Sequence, residues 1–170
     1  MPILKTTLAT LLLFIAFFDV HSQQTGADIT LTKVVDASAD DVWEVLRQLD
    51  NIDELTEVVS TVEFTGNYGA GGTRVCTSAD GNGAFKESIL SLDDDARTYT
   101  YELLEGAPIE GMVNNFKVVD LGYRKSMIVW TSKYEAFIIN PQMTEEQFLG
   151  FINQTATEMI GNVASMTSLN

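Results

Sequence analysis

The chain has 170 residues, with 24 acidic against 10 basic side chains and a formal net charge of -14 at pH 7. A surface this acidic repels nucleic acid and anionic lipid, so we expect neither as a partner. Cys76 is the only cysteine, which excludes an intramolecular disulfide.

The N-terminus has the pattern of a secretory signal peptide. Lys5 precedes an apolar run from Leu8 to Phe18, which is too short to span a bilayer as a helix. Small and β-branched residues suit cleavage before Gln23, and an uncleaved anchor is the alternative. We therefore expect a signal peptide at residues 1–22 and one domain at residues 23–170. The mature protein is expected to be secreted or periplasmic, monomeric, and without stable membrane insertion.

The only histidine of the chain, His21, falls inside this leader. Its loss on cleavage excludes Ser-His-Asp and Cys-His catalysis and nearly every zinc site. We expect no metal and no cofactor, so any chemistry must use carboxylates, Arg, Lys, Tyr or hydroxyl groups.

The mature chain is predicted to begin with one strand and two short helices. Residues alternate between apolar and polar from Asp28 to Val35, as in a strand. Ser38 and Asp41 have the spacing of a helix N-terminus, and residues 52–57 follow as a second helix.

Six strand-like runs with a period of two residues come next. Their connections are too short for crossover helices, so they predict an antiparallel meander. The runs lie at residues 58–65, 73–79, 84–92, 98–105, 113–121 and 125–137.

A long helix is predicted to close the chain. Thr144 and Gln147 form a capping box at its start. One stripe of the helix is apolar enough to cover a curved sheet. The stripe consists of Phe148, Phe151, Ile152, Thr155, Met159, Val163 and Met166.

This order of elements resembles the START and birch-pollen-allergen superfamily, often called SRPBCC or polyketide-cyclase-like. The similarity rests on residues 37–43, 72–74, 85–89, 92–94, 99–102, 129–132 and 134–135. It implies an α+β helix-grip fold, in which a seven-stranded curved antiparallel sheet surrounds a long C-terminal helix. It also implies a cavity for an apolar or amphipathic small molecule, entered near the loops at one end.

Arg74 and Glu87 are expected to meet across a hairpin. If Asp80 and Gly81 form a two-residue turn, the two side chains lie directly opposite each other; a four-residue loop makes them diagonal neighbours on the same face. The resemblance to the onion lachrymatory-factor synthase implies that this pair moves protons as the catalytic residues. A cross-strand ion pair that only supports the sheet is the alternative.

Further ligand contacts are expected from the strands, the final helix and one loop. Trp130 and Tyr134 share a strand face and would add an aromatic wall and a hydroxyl group, with ordinary core packing as the alternative. Pro108 lies in the segment 106–111, where relatives carry a mobile lid; an ordinary strand connection is the alternative. The expected ligand-binding residues are Trp130, Tyr134, Phe85, Ile89, Tyr101, Pro108, Phe151, Thr155 and Met159.

Two function classes fit these expectations. The first is binding or carriage of a hydrophobic small molecule, such as a lipid, a sterol or a polyketide, in an internal cavity. The second is a cofactor-free cyclase, dehydratase or isomerase that uses Arg74 and Glu87. Binding requires fewer specific residues than catalysis, so we favour the first class.

Overall fold

The computed structural model describes residues 29–168, so the predicted signal peptide lies outside the described residues. The described chain contains three helices, and none of them is long and apolar enough to cross a membrane. In chain order the elements are β1 (Ile29–Val35), α1 (Ala39–Leu46), α2 (Ile52–Leu55), β2 (Val59–Thr65), β3 (Thr73–Ser78), β4 (Ala84–Asp93), β5 (Thr98–Glu105), β6 (Ile109–Glu110), β7 (Met112–Gly122), β8 (Lys125–Lys133), β9 (Ala136–Phe137) and α3 (Glu145–Thr167).

Seven of the strands form one antiparallel sheet in the order β1-β8-β7-β5-β4-β3-β2. The first strand thus pairs with β8, and the other neighbours follow the meander expected from the short connections. Helix α3 packs against β1, β8, α1 and α2. The predicted α+β helix-grip fold is confirmed.

Helices α1 and α3 begin at the residues that the capping patterns indicate. The Ser38 hydroxyl accepts a hydrogen bond from the Asp41 backbone N–H at 3.2 Å. At α3, the Thr144 hydroxyl accepts from the Gln147 N–H, and the Gln147 side chain accepts from the Thr144 N–H at 2.9 Å. These reciprocal bonds satisfy backbone donors that the first turn of a helix leaves without partners.

Two helix details differ from the prediction. Helix α2 ends at Leu55 instead of Glu57, because Thr56 has extended backbone angles. Met166, placed on the apolar stripe of α3, is 36% exposed. The last turn of α3 lies over a surface groove beside α2, where Met166 faces the groove and Thr167 is buried.

The last predicted strand was too long, since β8 ends at Lys133. At that point its partner β7 begins, with Val113 opposite Lys133, and Gly111 turns the chain at a φ of +62°. Beyond Lys133 the chain therefore has no backbone of β7 to pair with. Instead β9 pairs with β6 in a separate two-stranded sheet. Of these two strands, β6 belongs to the segment 106–111.

Candidate functional site

A half-enclosed, mainly apolar cavity lies between the main sheet and α3. Its volume is about 80 Å³. Strands β2, β3, β4, β5, β7 and β8 contribute one wall, and α2 and α3 contribute the other. Arg74 and Glu87 both stand in the sheet wall.

Arg74 on β3 lies directly opposite Glu87 on β4, as a two-residue turn predicts. The Arg74 Nε donates a hydrogen bond to Glu87 Oε2, and its Nη1 donates to the Leu49 carbonyl oxygen at 2.9 Å. The Arg74 side chain is 1% exposed and that of Glu87 is 13% exposed. The pair is thus a buried ion pair whose carboxylate side reaches the cavity.

Two tyrosine rings complete the surroundings of the Arg74 guanidinium. Its central carbon lies 4.7 Å from the centre of the Tyr101 ring and 6.0 Å from that of Tyr99. Burial is the largest single effect and would lower the pKa of Arg74, but Glu87 together with Tyr99, Tyr101 and Cys76 outweighs it, so the pKa is raised. Arg74 therefore stays charged and serves as a fixed cation beside the cavity.

Cys76 shares the inner face with this pair but is poorly suited to nucleophilic chemistry. Its sulfur lies 3.8 Å from Glu87 Oε2. Burial, together with the charge of Glu87, raises the pKa of the Cys76 thiol to about 12. Because the thiolate is the reactive form, this cysteine is inert at neutral pH.

The aromatic residues of the wall form one connected group. The Trp130 indole N–H donates to the Tyr101 hydroxyl at 3.4 Å, so the Tyr101 proton is left to point elsewhere. Burial raises the pKa of Tyr101 well above 10, which keeps this hydroxyl protonated. Across the cavity, the ring of Phe85 on β4 stacks at 6.5 Å on the ring of Phe151 on α3.

Six of the nine expected ligand-binding residues line the cavity. These are Phe85, Tyr101, Trp130, Phe151, Thr155 and Met159.

The other three lie elsewhere. Ile89 is 1% exposed and packs in the main core. Tyr134 follows the end of β8, packs in a second apolar cluster beside Phe148, and donates to Glu145 Oε1 at 2.7 Å. Pro108 borders a groove on the outer surface.

One polar residue of the wall, Asn114 on β7, was not expected from the sequence. The other inward positions of this strand, Met112, Phe116 and Val118, are apolar and buried. Asn114 is 3% exposed, and its Oδ1 has no hydrogen-bond partner within residues 29–168. An asparagine in an otherwise apolar inward series was the signal that could have identified it.

The cavity suits neutral or weakly polar ligands better than metals. Glu87 is the only carboxylate among its lining residues. Across residues 29–168, no group of three or more cysteine, aspartate or glutamate residues converges as a metal site would require. The arrangement can enclose an apolar group and offer hydrogen bonds from an ion pair, a hydroxyl and an amide.

Comparison with known families finds a match over most of the chain. The family described as polyketide cyclase/dehydrase and lipid transport matches residues 26–161. A comparison with curated proteins finds no match.

Solved structures with a similar fold share little sequence identity with the chain. The Zhui aromatase/cyclase from a Streptomyces species has a TM-score of 0.73 at 18% identity, over 84% of this chain and 93% of that one. Norcoclaurine synthase from Thalictrum flavum, in complex with dopamine and hydroxybenzaldehyde, has a TM-score of 0.67 at 20% identity, over 92% and 96%. An uncharacterised Bacillus thuringiensis protein has a TM-score of 0.72 at 14% identity, over 85% and 100%. At these identities the likeness is one of fold.

Proposed function

Because the chain belongs to the polyketide cyclase/dehydrase and lipid transport family, we propose that it binds a small amphipathic molecule between its sheet and α3. By its description, this family comprises polyketide cyclases, dehydrases and proteins of lipid transport. The observation that carries the proposal is the half-enclosed apolar cavity with Arg74 and Glu87 in its wall. Apolar lining with a few convergent polar groups is what small-molecule sites have in common.

The size of the cavity limits what can enter. Its volume of about 80 Å³ is below the roughly 150 Å³ of an apolar cavity that holds benzene, and far below the roughly 300 to 1,000 Å³ of drug-sized sites. A short chain is therefore the largest group that fits the cavity as it stands, and a single ring enters only when the half-open side widens. A lipid, a sterol or a polyketide would place one end inside and leave the remainder toward the open side.

The predicted leader supports carriage outside the cytoplasm. Such a carrier needs only reversible binding, and the fixed Arg74 and Glu87 pair would orient the polar end of the ligand. Neither group has to change its protonation state for this role.

Catalysis without a cofactor is the second candidate, and one feature of Glu87 favours it. The Glu87 contacts with Arg74 and Cys76 both use Oε2, and Oε1 accepts no hydrogen bond from the described residues. An unoccupied carboxylate oxygen at a cavity wall can accept a proton from a bound substrate, while Arg74 offsets negative charge. Two solved structures of similar fold carry the names of enzymes, an aromatase/cyclase and norcoclaurine synthase.

Occupying the cavity with a side chain tests the binding proposal. Thr155 lines the cavity from α3, so Thr155→Phe is expected to fill it. Thr157→Phe places the same ring on the exposed side of the same helix. Ligand-observed NMR with toluene, a single ring that enters when the open side widens, should give binding to wild type and to Thr157→Phe, and none to Thr155→Phe. Equal toluene binding by both variants, or none by wild type, would count against the proposal.

A further inference from the structure

The amide of Asn114 is a buried polar group inside the proposed binding cavity without a partner of its own. We propose that it is a neutral subsite for a hydroxyl group, so that the ligand is a small apolar alcohol or phenol. This inference rests on the proposed function and assigns the chemical class of its ligand. Asn114 itself makes no hydrogen bond with the Arg74 and Glu87 pair in the described chain.

Of the two neighbouring asparagines on β7, only the oxygen of the inward-facing one is buried without a partner in the described chain. Its chain neighbour Asn115 faces the other side of the sheet, where its Nδ2 donates to Thr98 Oγ1, the Tyr99 carbonyl oxygen and Thr100 Oγ1 at 2.9 to 3.0 Å. Asn114 Oδ1 has no such bond in the described chain although it is fully shielded. Folded proteins pair the large majority of buried polar side-chain atoms, because an unpaired one is destabilising. Because Asn114 lines the cavity, a ligand donor is the missing partner once the amide turns its oxygen toward that space.

The neighbours of Asn114 favour a ligand group that both donates and accepts a hydrogen bond, as a hydroxyl does. Asn114 lies opposite Tyr101 on β5, and side chains at opposed positions share a face of the sheet. Tyr101 accepts from the Trp130 indole and keeps its own proton to donate. A ligand hydroxyl can therefore donate to Asn114 Oδ1 and accept from Tyr101. A carboxylate or an ether has no proton to give to Oδ1.

A trapped water molecule is the competing occupant. Buried waters usually make about three hydrogen bonds to protein. The Asn114 amide and the Tyr101 hydroxyl can bind such a water, but the adjoining lining residues Met112 and Leu103 are apolar and offer it nothing. An alcohol needs fewer polar partners than water, since its apolar part packs against these walls.

The subsite is far enough from the ion pair to be altered independently. In the strand register, Glu87 on β4 lies opposite Leu103 on β5, and Leu103 lies opposite Met112 on β7. Asn114 on β7 lies opposite Tyr101 on β5. Glu87 and Asn114 are thus two strands and two residues apart, about 12 Å between Cα atoms by sheet geometry. Substitution of Asn114 leaves the contacts of Arg74 in place.

Phenol and toluene, which differ by a hydroxyl in place of a methyl group, are the probes. Their dissociation constants are measured by ligand-observed NMR for wild type, Asn114→Leu and Asn114→Ser, with Ser132→Ala as the control. Ser132 is opposite Asn114 on β8, is buried, and does not line the cavity. Asn114→Leu should raise the dissociation constant of phenol relative to that of toluene by about ten-fold or more, as expected for a lost hydrogen bond to a buried group.

The comparison separates this inference from the proposed function. Retained toluene binding with a reduced phenol preference in Asn114→Leu, and an unchanged preference in Ser132→Ala, supports the hydroxyl subsite. A phenol preference unchanged within two-fold in both Asn114 variants overturns it and leaves the binding cavity intact. If wild type binds neither probe, both the subsite and the proposed function are wrong.

Discussion

Replacing Glu87 by Gln is expected to lower the free energy of unfolding by about 3 kcal/mol. The substitution keeps the shape of the side chain but leaves the Arg74 charge without its counter-ion. Arg74 is 1% exposed, so its guanidinium cannot turn to bulk water and keeps only neutral partners: the Leu49 carbonyl, the tyrosine rings and the introduced amide. Breaking a buried ion pair typically costs about 3 to 5 kcal/mol, and the partial exposure of Glu87 places this one near the lower end.

Glu105→Gln is the matched control for this experiment. Glu105 pairs with Lys86 at 3.1 Å across β4 and β5, where the two side chains are 69% and 46% exposed. An exposed pair of this kind contributes at most about 1 kcal/mol. The control therefore measures the loss of one carboxylate from the same part of the sheet without burial.

Urea unfolding at pH 7, followed by tryptophan fluorescence, compares the variants. With an m-value of about 1.5 kcal/mol per molar, the Glu87 substitution should move the midpoint down by about 2 M. The double variant Arg74→Met with Glu87→Leu should recover most of this loss, since it leaves no unpaired charge. If Glu87→Gln lowers the free energy of unfolding no more than Glu105→Gln does, the reasoning is refuted.

Three other substitutions test parts of the fold. Folding raises the pKa of the Cys76 thiol from 9.0 to about 12, so between these values the folded chain keeps a proton that the unfolded chain loses. The contribution of this thiol to the free energy of unfolding is complete below pH 9. It is lost as pH rises toward 12, by about 1.4 kcal/mol per pH unit. Urea midpoints at pH 8, 9 and 10 should therefore fall less steeply in Cys76→Ala, and parallel curves would contradict this. Gly72→Ala would put a Cβ 2.2 Å from the Asn67 backbone oxygen and should lower stability by about 2 kcal/mol, whereas Gly83→Ala meets nothing within 4 Å; equal melting temperatures would contradict this. Thr144→Ala removes the N-cap of α3 and should cost about 1 kcal/mol in urea unfolding, while Thr144→Ser should retain most of it; equal losses would rule out the cap as the cause.

Local sequence rules predicted most of this architecture because the elements obey them. The superfamily resemblance is confirmed by the family match over residues 26–161. Caps at Ser38 and Thr144 and the period-two alternation position the helices and main strands. The error at the end of β8 arose because alternation continues through Phe137, whereas pairing depends on where the partner strand begins. That point is determined by the backbone turn at Gly111.

The site was predictable only where turn geometry determines the contact. The positions of Arg74 and Glu87 on either side of a two-residue turn predicted that they lie opposite each other, because such a turn fixes the register of an antiparallel hairpin. Alternation assigns a side chain to a face but does not say whether space remains in front of it. Ile89 was expected at the cavity and lies in packed core, whereas Asn114 was not expected there and lines it. Cavity volume depends on the packing of α3 against the sheet, which no strand pattern contains.

An unpaired buried atom does not by itself indicate a ligand site in this protein. Asn51, Ser126 and Ser132 also have such atoms in the described chain, and none of them lines the cavity. Asn114 differs because its unpaired oxygen belongs to a side chain at the wall of an open space. An apolar residue at that position would stabilise the unliganded protein, so Asn114→Leu is expected to raise the melting temperature while it weakens phenol binding. A gain in stability at the expense of binding is what a residue retained for a ligand should show.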